Sequence, residues 1–234
     1  MSPPYLVIFV LLALLAVAAW MYRRVREEFR KMESDDPEVW EPEIARFEAE
    51  DGRTPPPRDA ILFVGSSSIR FWRHLAEDMA PLTVIRRGFG GAKLHDVTHF
   101  ADRIILPYRP SAIVLFAGTN DISGQANDKT PEALFADFTE LAELIRGELP
   151  GTPLYYISMT PIPARREVWP SLREANEAIA KYAQQHPHLH FIDMTDAFLN
   201  ASDQPRNDLF WWDKVHLNRK GYRIWAGRIR DRML

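Results

Sequence analysis

The sequence predicts an α/β protein with a parallel, doubly wound sheet, carried behind one apolar N-terminal helix. Three observations lead there. Five short apolar runs alternate with longer segments of helical pattern. The runs are too continuously apolar for strands with one wet face, so both faces of the sheet are expected to be covered. An uncharged stretch long enough to cross a bilayer precedes them all.

That stretch, residues 5–22, reads YLVIFVLLALLAVAAWMY. With the two prolines before it the segment is about 20 residues long, which as a helix spans the ~30 Å hydrocarbon core. A buried soluble helix would carry a polar face, and this one has none. A cleaved signal peptide has the small-residue pattern Ala16-Val17-Ala18 in its favour but lacks a basic region ahead of the apolar core. A retained single-pass anchor over 1–22 fits better. Arg23, Arg24, Arg26, Arg30 and Lys31 follow the span, and by the positive-inside rule they leave the rest of the chain on the cytoplasmic side.

Residues 23–58 read as a charged connector. Ile44 and Phe47 among acidic neighbours suggest one short amphipathic helix, and Pro55-Pro56-Pro57 ends it in an extended spacer. Beyond the prolines, strands are expected at 60–64, 82–85, 112–116, 154–158 and 189–192. Helices are expected near 68–79, 94–106, 131–148, 171–186 and 218–232. Thr130 before Pro131 and Glu132 is a good helix start, and Asn218 caps the last helix. Strand–helix alternation of this kind builds a parallel sheet wrapped by helices over 59–234.

Composition narrows the function. A net charge of -3 gives no basic footprint for nucleic acid. The chain has no cysteine, which removes disulfides, thiolate metal sites and a thiol nucleophile. In open α/β sheets ligands bind beyond the carboxyl ends of the strands, and four clusters fall there. They are Gly65-Ser66-Ser67-Ser68, Gly88-Phe89-Gly90-Gly91, Gly118-Thr119-Asn120-Asp121, and Asp213-Lys214-Val215-His216.

Together the clusters hold what acyl transfer needs. A serine at a strand-to-helix turn presents its hydroxyl at the sheet edge. Histidine takes a hydroxyl proton near neutral pH, and an aspartate three residues before it can orient the imidazole. Glycine lets backbone N–H groups approach an oxyanion, and an asparagine amide adds a donor worth about 3–4 kcal/mol in the transition state.

In their order, G-S-S-S-I, R-G-F-G-G, G-T-N-D and D-K-V-H-L-N resemble the four blocks of the SGNH hydrolases, the GDSL-like lipase and esterase superfamily. The resemblance covers 59–234. It implies a flavodoxin-like three-layer sandwich with five parallel strands in order 2-1-3-4-5, preceded here by the transmembrane helix. It also implies a carboxylic ester hydrolase that forms an acyl-enzyme. By position Ser67 matches the nucleophile, His216 the base and Asp213 the orienting acid. The N–H groups of Ser67 and Gly91 and the amide of Asn120 match the oxyanion hole. No metal or cofactor is implied. The chain departs from the family pattern at Ser66, where an aspartate is usual.

Blander readings exist for each feature. An isolated serine cluster more often caps a helix. Gly88, Gly90 and Lys93 miss the third glycine of a dinucleotide fingerprint, and there is no G-K-[ST]. His186, His188 and His190 alternate as in a strand but lack the acidic or thiol partners of a zinc site. His74, His95 and His99 read as surface or satisfied helix residues. Phe210, Trp211 and Trp212 read either as core or as part of an acyl pocket, and residues 160–173 as a specificity loop. The expected partners are a small ester, short-chain or lysophospholipid-like, and the membrane. A carbohydrate O-acetyl ester is the alternative substrate, and a non-catalytic tethered binding protein of the same fold is the rival from another class. The sequence carries no sign of oligomeric state.

Overall fold

The computed structural model describes residues 3–234; Met1 and Ser2, the start of the expected anchor at 1–22, lie outside the described residues. Helix α1, Pro3–Glu33, runs unbroken through the apolar stretch and its basic flank. A 3-10 turn, Pro37–Trp40, leads into α2, Glu41–Arg53. The domain then alternates. β1 (Ile61–Gly65) is followed by α3 (Ser67–Arg70) and α4 (Leu75–Asp78). β2 (Val84–Gly88) is followed by α5 (Leu94–His99) and α6 (Ala101–Ile104). Next come β3 (Ala112–Phe116), α7 (Pro131–Glu148), β4 (Leu154–Ile157) and α8 (Trp169–Ala183). β5 (Leu189–Ile192), α9 (Thr195–Phe198) and α10 (Arg219–Met233) complete the chain.

All strand pairs are parallel, in the order β2-β1-β3-β4-β5. The sheet is covered on both faces, as its apolar strands require. One face packs Leu62, Val64, Ile113 and Leu115 against α2, α5, α7 and α8 through Phe47, Val97, Phe138 and Ile179. The other packs Phe63, Val114 and Phe116 against α3 and α10 through Ile69, Trp72 and Trp225.

Four stretches differ from the sequence-based expectation, one of them the helix expected near 94–106, which is the two short helices α5 and α6. The second strand lies at Val84–Gly88 rather than 82–85. Its Arg86-Arg87 pair hides the strand from hydropathy, yet both side chains find partners: Arg86 donates to Trp72 O, and Arg87 pairs with Asp51 and Tyr108. The single helix expected near 68–79 is two short ones, because the chain turns to bury Trp72 among Phe63, Tyr222 and Trp225. The second half of the stretch read as connector is built into the fold, with Trp40, Ile44 and Phe47 buried in the core.

Candidate active site

The end of β1 turns sharply. Gly65 has φ 135°, and a Cβ there would lie 2.0 Å from the Phe116 carbonyl oxygen, so the position admits glycine alone. Ser66 donates its N–H to that same oxygen at 2.9 Å and caps α3 through its own carbonyl. Its side chain is buried. Ser68 accepts the Tyr222 hydroxyl on its carbonyl at 2.8 Å. Between them Ser67 opens α3, where a first-turn N–H has no intrahelical partner. Of the three serines it is Ser67 whose Oγ meets His216 Nε2, at 3.2 Å.

The loop before α10 folds around Asp213. One carboxylate oxygen accepts the N–H groups of Val215 at 2.9 Å and His216 at 3.0 Å. The other faces His216 Nδ1 at 2.8 Å. One carboxylate thus shapes the loop and orients the ring. Burial opposes its ionisation, but the His216 ring and the two N–H groups outweigh burial and hold the Asp213 carboxyl below its ordinary value. Trp211 N–H donates to the His216 carbonyl at 2.8 Å, and Phe71 packs edge-on to the imidazole with centroids 4.9 Å apart. This ring is therefore gripped on the backbone side, on its face and at Nδ1, leaving Nε2 for the serine.

Gly91 and Asn120 come from the loops after β2 and β3. Phe89 N–H donates to Gly65 O at 3.0 Å, tying the β2 loop to the Ser67 turn. Among the described residues no protein acceptor receives the Gly91 N–H. Asn120 Nδ2 donates to Ala92 O at 3.2 Å, while Arg165 donates through Nη1 to Thr119 O at 2.7 Å and to Asn120 Oδ1 at 3.3 Å. That fixes which end of the amide is oxygen and leaves one N–H free. Burial pushes the Arg165 guanidinium down, with Asp128 opposing. The side chain stays a cation nonetheless.

Behind Asn120 lies a buried polar cluster. Asp121 accepts the Leu94 N–H at 3.2 Å, joining the β2 and β3 loops. Burial pushes its carboxyl up to about 6 against the pull of Lys129. His95, Asp121 and Asp137 bring ligand-type atoms within 4.8 Å of one another. Lys129 Nζ sits among them, 3.1 Å from His95 Nδ1, 3.3 Å from Asp121 and paired with Asp137. The ammonium takes the position a cation would.

The four sequence clusters thus meet at one sheet edge. His186, His188 and His190 lie at the opposite edge, where His186 stacks on Tyr182 and His190 on Tyr155. Phe210 is core, whereas Trp211 and Trp212 face solvent. Arg165 falls within the expected specificity loop, but nothing in that run of three cations singled it out. The roles of Phe71 and Asp121 carried no sequence signal, since each depends on what it touches across the fold.

A flavodoxin-like sheet with these blocks at its carboxyl edge defines an SGNH hydrolase. Residues 55–224 match the GDSL-like lipase/acylhydrolase family, and the chain belongs to it. It is accordingly an esterase. No curated protein matches it. Among solved structures it is similar to a chain from Streptococcus pneumonia provisionally named as a platelet activating factor (TM-score 0.70, 18% identity, 94% of this chain and 99% of that one). It is similar also to a GDSL-like lipase from Bacteroides thetaiotaomicron (0.68, 20%, 80% and 95%). An acetylxylan esterase from Geobacillus stearothermophilus follows (0.61, 15%, 75% and 94%). At these identities the likeness is one of fold.

Proposed function

We propose that the protein is a serine hydrolase that cleaves carboxylic acyl esters through an acyl-enzyme on Ser67. The observation that carries this is the unbroken chain of contacts from Ser67 Oγ to His216 Nε2 and from His216 Nδ1 to Asp213. Ser67 attacks the ester carbonyl as His216 takes the hydroxyl proton, and Asp213 stabilises the imidazolium. The tetrahedral oxyanion is received by the N–H groups of Ser67 and Gly91 and by the free N–H of Asn120. His216 then protonates the departing alkoxide. Water, deprotonated by the same ring, releases the acid and restores Ser67.

We read the substrate as a short-chain or lysophospholipid-like ester. The fold likeness to an acetylxylan esterase keeps a carbohydrate O-acetyl ester as the second reading. We divide the chain into an anchor at 1–22, a connector at 23–58 whose α2 packs on the domain, and the hydrolase domain at 59–234. The basic residues after the apolar stretch favour the cytoplasmic side for that domain.

The test uses the full chain in detergent with p-nitrophenyl acetate and butyrate. Turnover should fall by about 10⁶-fold in Ser67→Ala and His216→Ala, and a fluorophosphonate should add its mass to Ser67. Absence of turnover in the parent protein, or turnover that survives Ser67→Ala, sinks the mechanism.

A further inference from the structure

The chain enters its α/β domain at the edge that bears the nucleophile. The end of α1 is received by the loops after β2 and β3: Asn127 Nδ2 donates to Glu33 O at 3.0 Å, and Lys93 Nζ donates to Ser34 O at 3.1 Å and pairs with Asp35 at 2.6 Å. A lysine at a helix C-terminus suits the carbonyls exposed there. Lys93 stands two residues past Gly91. Lys31 closes the junction, 3.2 Å from Glu43 and over the Trp40 ring at 5.5 Å. From this point α2 runs along the sheet layer toward the start of β1.

Ahead of the junction α1 stands clear of the domain. Its segment Val7–Glu27, mean hydropathy 1.8, is 0% buried. From Tyr22, the last residue of the uncharged run, the helix continues unbroken to Glu33. That distance is about 16 Å at 1.5 Å per residue. With residues 5–22 across a bilayer, the headgroup layer takes up about 5–7 Å of it, which leaves the edge that receives α1 close above the lipid.

The distribution of exposed apolar side chains points the same way. Outside α1 and the terminal Leu234, the large exposed hydrophobics among the described residues are Phe71 (40%), Trp211 (55%) and Trp212 (88%). All three border the site: Phe71 packs on His216, and Trp211 and Trp212 lead into Asp213. Tryptophan's amphipathic ring favours the membrane–water interface, and an apolar patch confined to one mouth marks an interaction surface.

We propose that the catalytic edge lies against the bilayer of its own anchor, with Phe71, Trp211 and Trp212 in the headgroup layer. The substrate is then an amphiphilic acyl ester drawn from that surface rather than from bulk water. The substrate half rests on reading Ser67 as the nucleophile; the orientation half does not.

Because the chain lacks cysteine, single labels are clean. Trp212→Cys and Arg58→Cys, the latter exposed at the opposite sheet edge, are labelled with bimane and reconstituted as full chains in phosphatidylcholine–phosphatidylglycerol vesicles containing brominated lipid. The label at 212 should be quenched several-fold more than that at 58; equal or absent quenching overturns the orientation. In the same vesicles, Trp212→Ser should slow hydrolysis of a long-chain lysophospholipid about 10-fold more than it slows that of p-nitrophenyl acetate. Equal loss on both esters overturns the substrate half. Failure of the parent protein on both esters counts against the Ser67 reading and removes the substrate half with it, while the quenching result still decides the orientation.

Discussion

Arg165 lies within hydrogen-bond distance of Asn120, its Nη1 reaching Asn120 Oδ1 at 3.3 Å and the neighbouring Thr119 carbonyl at 2.7 Å. With Asn120 Nδ2 bound to Ala92 O, the amide is held at both ends. Its remaining N–H then has one direction to point. In the proposed mechanism Arg165 is a positioning residue, acting on the oxyanion through Asn120.

Arg165→Met should therefore lower kcat about 10-fold and leave KM nearly unchanged, a smaller loss than the roughly 10²–10³-fold of Asn120→Ala. The double variant should be no slower than Asn120→Ala alone, since both remove one donor. Steady-state kinetics on p-nitrophenyl butyrate decide it. A rise in KM with kcat intact would instead make Arg165 a substrate contact.

Asp121 makes a pH prediction whose direction follows from its buried carboxyl. Its folded value is raised to about 6 from an ordinary 3.8, so between those values the folded state holds a proton that the unfolded state has lost. This contribution to stability falls as pH rises from about 4 to 6 and stays low above that, amounting to about 3 kcal/mol at most. Asp121→Asn keeps an oxygen for the Leu94 N–H and cannot ionise. Relative to the parent, the variant should gain stability across pH 4–6 and then level off, as read by thermal unfolding in near-UV circular dichroism. A constant difference from pH 4 to 7 would remove Asp121 from the explanation.

Gly90 and Trp40 lock α2 to the loop that carries Gly91. A Cβ at residue 90 would lie 1.8 Å from Trp40 Cζ3, and Trp40 Nε1 donates to Asp96, which in turn accepts the Lys93 N–H. Gly90→Ala should cost about 1–3 kcal/mol through overpacking and slow turnover by shifting the loop. Adding Trp40→Phe, which lacks the clashing ring carbons, should restore part of the melting temperature. If Gly90→Ala melts with the parent, the contact is looser than its geometry implies.

Much of this protein is legible in its amino-acid order because the relevant signals are local. Five apolar runs, the caps at Thr130 and Asn218, and the uncharged segment at 5–22 each express a preference that a few neighbouring residues satisfy among themselves. The three glycine-bearing clusters are legible for the same reason, each sitting at the end of its own strand, whereas Asp213 and His216 lie in the long connection between β5 and α10. Where long-range contact overrides local pattern, the sequence misleads. Arg86 and Arg87 look wrong for a strand until Trp72, Asp51 and Tyr108 come to meet them, and residues 37–53 look like spacer until Trp40 closes over Gly90.

At Ser67 the two levels divide. Sequence places three adjacent serines at the carboxyl end of the first strand and singles out Ser67 only through its place in the family's first block. The tertiary structure separates them physically, burying Ser66 at the helix cap and turning Ser67 toward a histidine 149 residues away. The same holds for Arg165 and for the edge by which α1 enters. A partner's distance in space depends on how the sheet is wound, and no pattern within a single segment encodes that.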